Sequence, residues 1–359
     1  MRVVYVCKAV DEDSPTVATQ VRWIRSLASK PAVSHVHVLT ARRGRADLPP
    51  NVTVAVFGAR GWPRTILRFV AQAARLRRGD VDLFFVAQGG PYPALLLPFK
   101  LAFRRPLYQW KAQPHVSARM RFYARYCDDI VFTATPGSFP SDVGRVVVVG
   151  HGIDIDLFQP DQVESAEPKR DLVFVGRIAP IKRLEAVIRA LAGVRDSRGR
   201  TPSFDIVGPC APRDEPYRQS LVDLSASLGL DGSVRFLGSV GHDDAARLLR
   251  NYWAAVNFSE TAFDKAAGEA MATGLPVITT NSRAAEMLPR DLQRQLAASP
   301  EDPAELVRLI HVVLSCNVFV RADVGRRLRE NIVAHHSLDA LFDKILAASG
   351  GMSSPTPPP

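Results

Sequence analysis

Short apolar runs alternate with helix-patterned stretches along this chain, and the alternation stops once and then restarts. That rhythm constrains the fold more than any single residue does. Strand-like runs occur at Val3–Cys7, His35–Thr40, Val52–Phe57, Asp82–Ala87, Leu107–Trp110, Ile130–Thr135 and Val146–Val149. Between them lie helical stretches. Thr16–Ser29 sets Val17, Val21, Ile24 and Leu27-Ala28 at helical spacing behind a Ser14-Pro15 start, a residue pair suited to an N-cap and a first helical position. A second helix is expected from about Pro63 to Arg78. Short β-rich runs separated by helices predict a parallel, doubly wound α/β sheet.

The rhythm breaks at Phe158–Asp171, a polar stretch rich in Pro, Gln, Asp and Glu that reads as a linker. It then resumes with strands at Leu172–Val175, Phe204–Val207, Val234–Leu237, Ala254–Phe258 and Val277–Thr279. Two Rossmann-like domains are therefore expected, since 359 residues exceed one ordinary core. Their expected bounds are 1–157 and 171–336, joined by 158–170. A final helix over 337–349 is expected to pack back on the first domain, ahead of a disordered 350–359 tail. Ligand would sit in a cleft beyond the carboxyl ends of the strands.

Composition narrows the classes. No apolar run reaches the roughly 18–20 residues of a membrane span; Tyr92–Phe103 is shorter and carries Pro93, Pro98 and Lys100. Met1-Arg2-Val3-Val4-Tyr5 is expected to enter a strand directly, with no secretory signal expected. Cys7, Cys127, Cys210 and Cys316 lie far apart, which favours reduced thiols in a cytoplasm. Residues 1–160 hold 22 Lys/Arg against 11 Asp/Glu, the remainder 24 against 25. The basic half suits an anionic membrane, an acidic acceptor or simply a solvated surface. It has no helix-turn-helix or aromatic-interleaved pattern for nucleic acid.

Two segments carry chemistry. In Phe174-Val175-Gly176-Arg177-Ile178-Ala179-Pro180-Ile181-Lys182 an apolar strand ends in Gly-Arg, and Lys182 is expected to open a helix. Arg177 and Lys182 can converge where backbone N–H groups already favour an anion such as a diphosphate; two solvated cations are the plainer reading. From Ser259 to Gly274 a polar loop leads into a short helix with Glu269 expected in its first turn. That carboxylate could accept two ribose hydroxyls, or merely compensate the helix dipole.

Together these segments resemble the retaining GT-B glycosyltransferases known as family four, or glycosyl transferases group one. The likeness rests on Phe-Val-Gly-Arg with a lysine five residues on, Ile-Val-Gly at 206–208, Phe-Leu-Gly at 236–238, and Glu-Ala-Met-Ala-Thr-Gly-Leu-Pro-Val-Ile at 269–278. Gly-His-Gly-Ile-Asp at 150–154 with Phe158 is similar to the family's interdomain element. The resemblance implies a nucleotide-sugar donor and a carbohydrate or lipid-linked acceptor. It implies that Arg177 and Lys182 bind the donor diphosphate, with Gly176 beside them. Glu269 would hold the ribose, Gly238 would border the base, and Phe263, Asp264 and Lys265 would face the donor sugar and phosphates.

Departures from the family pattern are equally visible. Thr261 stands where an earlier glutamate is common, with Glu260 beside it, and Asp264 where glycine is frequent. The histidine expected after Leu107–Trp110 is displaced, leaving Lys111 and His115 as candidates, and His115 is the one assigned to the transferred sugar. No cofactor and no metal are expected: Asp11/Asp13, Asp80/Asp82 and Asp154/Asp156 form Asp-x-Asp pairs, but none is expected to follow a buried strand in a suitable loop. Alternatives to transfer are a nucleotide-sugar epimerase and a non-catalytic relative that binds the same ligand. Arg64, Arg68, Arg75 and Arg78 fall on one stripe of the expected Pro63–Arg78 helix, which suits either a solvated basic face or peripheral contact with anionic lipid at the inner face of the membrane; the family resemblance implies a role in polysaccharide or glycolipid synthesis.

Overall fold

The computed structural model describes residues 1–14, 17–87, 89–160, 170–195, 199–259, 264–299 and 302–350. These form two compact units, one of residues 1–152 with the C-terminal helix Leu338–Gly350, the other Ile153–Ser337.

The first unit contains β1 (Arg2–Val10), β2 (His35–Arg43), β3 (Val52–Val56), β4 (Leu83–Val86), β5 (Leu107–Trp110), β6 (Ile130–Thr133) and β7 (Val146–Val148). They pair in the order β3-β2-β1-β4-β5-β6-β7, and every pairing is parallel. Its helices are α1 (Ala18–Ser29), α2 (Trp62–Ala73), α3 (Tyr92–Phe103) and α4 (Ala118–Tyr126). The two-residue period of β1 explains the layering. Val3, Tyr5 and Cys7 join Val21, Ile24 and Leu27 of α1 on one face, while Val4 and Val6 join Phe69 of α2 and Leu96 of α3 on the other. The C-terminal helix adds Leu341, Phe342 and Ile345 to the α1 side. Burying Phe342 there is worth about 2–3 kcal/mol. Lys30 ties the same helix down through Asp339 at 2.9 Å and Asp343 at 2.8 Å.

In the second unit β8 (Arg170–Val175), β9 (Phe204–Val207), β10 (Val234–Gly238), β11 (Tyr252–Asn257) and β12 (Val277–Thr279) pair in parallel, in the order β10-β9-β8-β11-β12. The helices are α5 (Leu184–Gly193), α6 (Glu215–Ser227), α7 (His242–Leu249), α8 (Lys265–Ala272), α9 (Ser282–Ala285), α10 (Arg290–Leu296), α11 (Pro303–Ser315) and α12 (Val318–His336). The strand order reverses between β8 and β11. In a sheet of this kind ligands bind outside the carboxyl ends at that reversal.

Three expectations require correction. The change of core falls at Gly152/Ile153, before the expected boundary after Leu157, because Ile153 and Phe158 are buried in the second unit's core. The helix expected to reach Arg78 ends at Ala73. Arg77 is extended and its N–H donates to Asp80 Oδ2 at 3.1 Å, a local bond that competes with helix continuation. Arg75 and Arg78 therefore leave the stripe that Arg64 and Arg68 share. Finally, Asp11 and Asp13 do follow a buried strand, β1, and Asp13 is paired with Arg45 at 3.1 Å. The 161–169 part of the expected linker and the 351–359 part of the expected tail lie outside the described residues. No single described helix is long and apolar enough to cross a membrane.

Candidate functional site

The site is built from loops that follow β8, β9, β10 and β11 in the second unit. Gly176 ends β8 with φ 155° and its N–H donates to Val207 O at 2.9 Å. Gly208 N–H donates in turn to Gly238 O at 2.7 Å. A Cβ on Gly208 would lie 1.9 Å from the Gly176 carbonyl oxygen, so only glycine allows these turns to touch. The glycines bring three strand ends together with bare backbone.

Beyond Gly176 the chain does not enter a helix at Lys182 as expected. Pro180–Lys182 is a single 3-10 turn, Arg183 is left-handed at φ 50°, and α5 begins at Leu184. The turn points the lysine across the sheet. Lys182 Nζ forms an ion pair with Asp264 Oδ2 and lies 3.4 Å from Ser259 Oγ. Asn257 Nδ2 donates to the same Asp264 oxygen at 3.2 Å. Lys182 comes from the loop after β8, and Asn257, Ser259 and Asp264 from the end of β11 and its loop, so the cluster straddles the strand reversal. Arg177 is exposed and forms no ion pair among the described residues.

Asp264 occupies the N-cap position of α8 in an extended conformation, yet its side chain caps nothing because it is committed to Lys182 and Asn257. Since α8 starts at Lys265, Glu269 sits in the second turn and not in the first. The dipole-compensating role proposed for a first-turn carboxylate does not apply to it. Glu269 is instead buried and specifically held: its Oε1 lies 2.9 Å from His242 Nε2 and 3.8 Å from Lys265 Nζ. The His242 ring packs edge-on against Phe158, with centroids 4.9 Å apart.

Helix α8 is itself anchored from behind. Arg329 of α12 donates from Nη1 to Phe158 O at 2.7 Å and to Ala272 O, and from Nη2 to Ile155 O at 3.2 Å. A Cβ on Gly325 would fall 2.0 Å from Gly274 O, so α12 meets the end of α8 backbone to backbone. One arginine thus fixes both the strap that carries Phe158 and the helix that carries Glu269.

The structure therefore brings Lys182 to Asp264, Glu269 to Lys265 and His242, and Gly176 to Gly238 through Gly208. Thr261 and Phe263 lie outside the described residues, as do Glu260 and Ala262. His115 belongs to the first unit, where it is exposed. In the same loop Lys111 is buried; burial lowers its pKa, and Asp128 partly opposes that shift. Sequence reasoning missed His242, whose signal is a glycine followed by a helix start with Asp243 and Asp244 in its first turn.

Comparison with known proteins points the same way. Residues 169–316 match the family described as glycosyl transferases group 1. The chain is 29% identical over 202 residues to a D-inositol 3-phosphate glycosyltransferase from Nocardioides, covering 50% of this chain and 43% of that protein. It is 35% identical over 150 residues to the protein of that name from Mycobacterium tuberculosis, covering 38% and 29%. The chain thus spans less than half the length of these curated relatives. Among solved structures it is similar to Anabaena HepE in complex with UDP and glucose, with a TM-score of 0.76, 17% identity, and 98% and 100% of the two chains covered. It is equally similar to sucrose-phosphate synthase from Thermosynechococcus elongatus, with a TM-score of 0.77, 16% identity, and 98% and 99% coverage. At such identities these likenesses establish the fold: two Rossmann-like parallel sheets of the GT-B class.

Proposed function

Because residues 169–316 match the family described as glycosyl transferases group 1, we propose that this chain is a glycosyltransferase. It moves a sugar from a nucleoside-diphosphate donor to a hydroxyl acceptor and retains the configuration at the anomeric carbon. The observation that carries this reading is the Lys182–Asp264 pair at the strand reversal, with the held carboxylate of Glu269 on the same helix–loop element. A diphosphate entering this site displaces Asp264 from Lys182, and Arg177 is the second cation available to it. Charge grows on the departing diphosphate as the sugar–oxygen bond breaks. Each cation meeting it is worth about 2–4 kcal/mol in the transition state.

The donor's other parts have matching groups. His242 holds one oxygen of Glu269, so the second can accept the ribose hydroxyls. Gly238, without a side chain, borders the base. Asp264 and Lys265, at the start of α8, are the groups assigned to the donor sugar and its phosphates. Lys182, Arg177 and the N–H groups at the start of α8 supply the positive field that a divalent ion supplies in metal-dependent transferases, so neither metal nor cofactor is required. The acceptor is a carbohydrate or a lipid-linked sugar in cytoplasmic polysaccharide or glycolipid synthesis. Exposed Arg60, Arg64 and Arg68 beside Trp62 and Leu67 offer peripheral contact with an anionic membrane face. The test is NMR of the sugar released when the protein turns over a panel of nucleoside-diphosphate sugars. The first-formed anomer should match the donor's; an inverted first product, or no turnover of any donor, overturns the reading.

A further inference from the structure

A second cluster lies at the carboxyl ends of β5 and β6 in the first unit. Gln109 pairs in register with Val131, so Gln109 and Val131 share one face of the sheet. By the two-residue period Lys111 and Thr133 continue that face. All three polar residues are buried: Gln109 is 4% exposed, Lys111 8% and Thr133 1%. Among the described residues the Gln109 Nε2 and Thr133 Oγ1 atoms have no hydrogen-bond partner, and Lys111 Nζ forms neither a hydrogen bond nor an ion pair. Buried donors left unpaired are costly and uncommon in native proteins.

The lysine is aimed at a helix start. A Cβ on Gly89 would lie 2.6 Å from Lys111 Nζ, so the ammonium group rests on the bare backbone that leads into α3. That helix has no side-chain cap and no acidic residue in its first turn. Among the described residues its positive end, like the lysine, has no ion-pair partner. Asp128 is the carboxyl group that interacts electrostatically with Lys111. It is itself buried and without a hydrogen-bond partner among the described residues, and burial pushes its pKa up to about 8, so near neutrality it mostly holds its proton.

We propose that Lys111, the Gly89–Gly90 backbone and the start of α3 bind a phosphate monoester, with Gln109 and Thr133 completing the donor set behind Lys111, and that this phosphate belongs to the acceptor. The proposal rests on the glycosyl-transfer reading for the word acceptor, but the anion site stands on its own geometry. It names the acceptor class as a phosphorylated polyol or sugar.

The test uses the full chain without donor. Thermal shift and calorimetry measure binding of inorganic phosphate, glycerol 3-phosphate and glycerol to the wild type, Lys111→Gln and Lys182→Ala. Ligand bound to the native state raises the melting temperature by mass action. Saturable binding of glycerol 3-phosphate, unchanged in Lys182→Ala and weakened at least tenfold in Lys111→Gln, is the expected result; glycerol should not bind. Equal affinity in wild type and Lys111→Gln, or loss only in Lys182→Ala, overturns the site. Binding of inorganic phosphate without glycerol 3-phosphate overturns the assignment to an acceptor. A cooperative melt of Lys111→Gln without ligand shows that it folds. Should that variant fail to melt cooperatively, Gly89→Ala, whose methyl group meets Nζ, reads the same loss. Failure of the nucleoside diphosphate to bind would remove the transfer reading and leave these outcomes intact.

Discussion

Replacing Asp128 by asparagine should make the first unit more stable at neutral pH and leave it nearly unchanged in acid. Among the described residues neither buried Asp128 carboxyl oxygen has a hydrogen-bond partner, and burial raises the pKa to about 8 despite the opposing influence of Lys100 and Lys111. In the unfolded chain the same group titrates near 4. Between about pH 4 and pH 8 the unfolded chain has released a proton that the folded chain keeps, so stability falls as pH rises and levels off above that window. At pH 7 roughly three pH units at about 1.4 kcal/mol each give a penalty on the order of 4 kcal/mol. Asparagine cannot ionise, and its buried amide resembles the protonated acid. Asp128→Asn should therefore gain about 2–4 kcal/mol at pH 7 and close to nothing at pH 4. Urea unfolding at pH 4.5 and 7.5 measures this, followed by the fluorescence of Trp23 and Trp110, which pack edge to face in that unit at 5.1 Å. A difference between variant and wild type that does not change with pH would refute the reasoning.

Three further outcomes are expected. Glu269→Gln should weaken nucleoside-diphosphate-sugar binding about tenfold in calorimetry, by loss of charge-assisted hydrogen bonds to the ribose, without lowering the melting temperature comparably; unchanged affinity would assign Glu269 a purely structural role. Turnover should survive EDTA, because side-chain cations and helix N–H groups balance the departing charge, and full loss restored by magnesium or manganese would contradict this. Co-sedimentation with anionic vesicles should fall as salt rises and fall again in Arg64→Glu/Arg68→Glu, whereas sedimentation indifferent to that reversal would exclude membrane docking by this helix.

Much of the architecture was legible because the physics is local. Strand runs such as Val3–Cys7, covered on both faces, declare a parallel sheet, and Gly176-Arg177 at a strand end marks where a ligand can approach backbone. What was not legible depends on contacts distant in sequence. Lys182 meets Asp264, and Glu269 meets His242, only because the loops after β8, β10 and β11 share one end of a sheet. The arginine stripe failed for the opposite reason. Ala74 to Arg78 keeps helical spacing, but Asp80 offers the Arg77 N–H a closer partner. Phe158 sits in a polar stretch and still belongs to a core, held there by Arg329 and packed on His242. Lys111 reads as an ordinary strand-end lysine until topology places α3 over it.

The central claim is that the second unit binds a nucleoside diphosphate through Lys182 and its neighbours. Calorimetric titration of UDP, GDP and ADP into the wild type and Lys182→Ala tests it most directly. At least one nucleotide should bind the wild type saturably, and Lys182→Ala should bind that nucleotide at least tenfold more weakly, a loss of about 1.4 kcal/mol or more. Equal affinity in the two proteins, or no binding of any of the three by the wild type, would contradict the account.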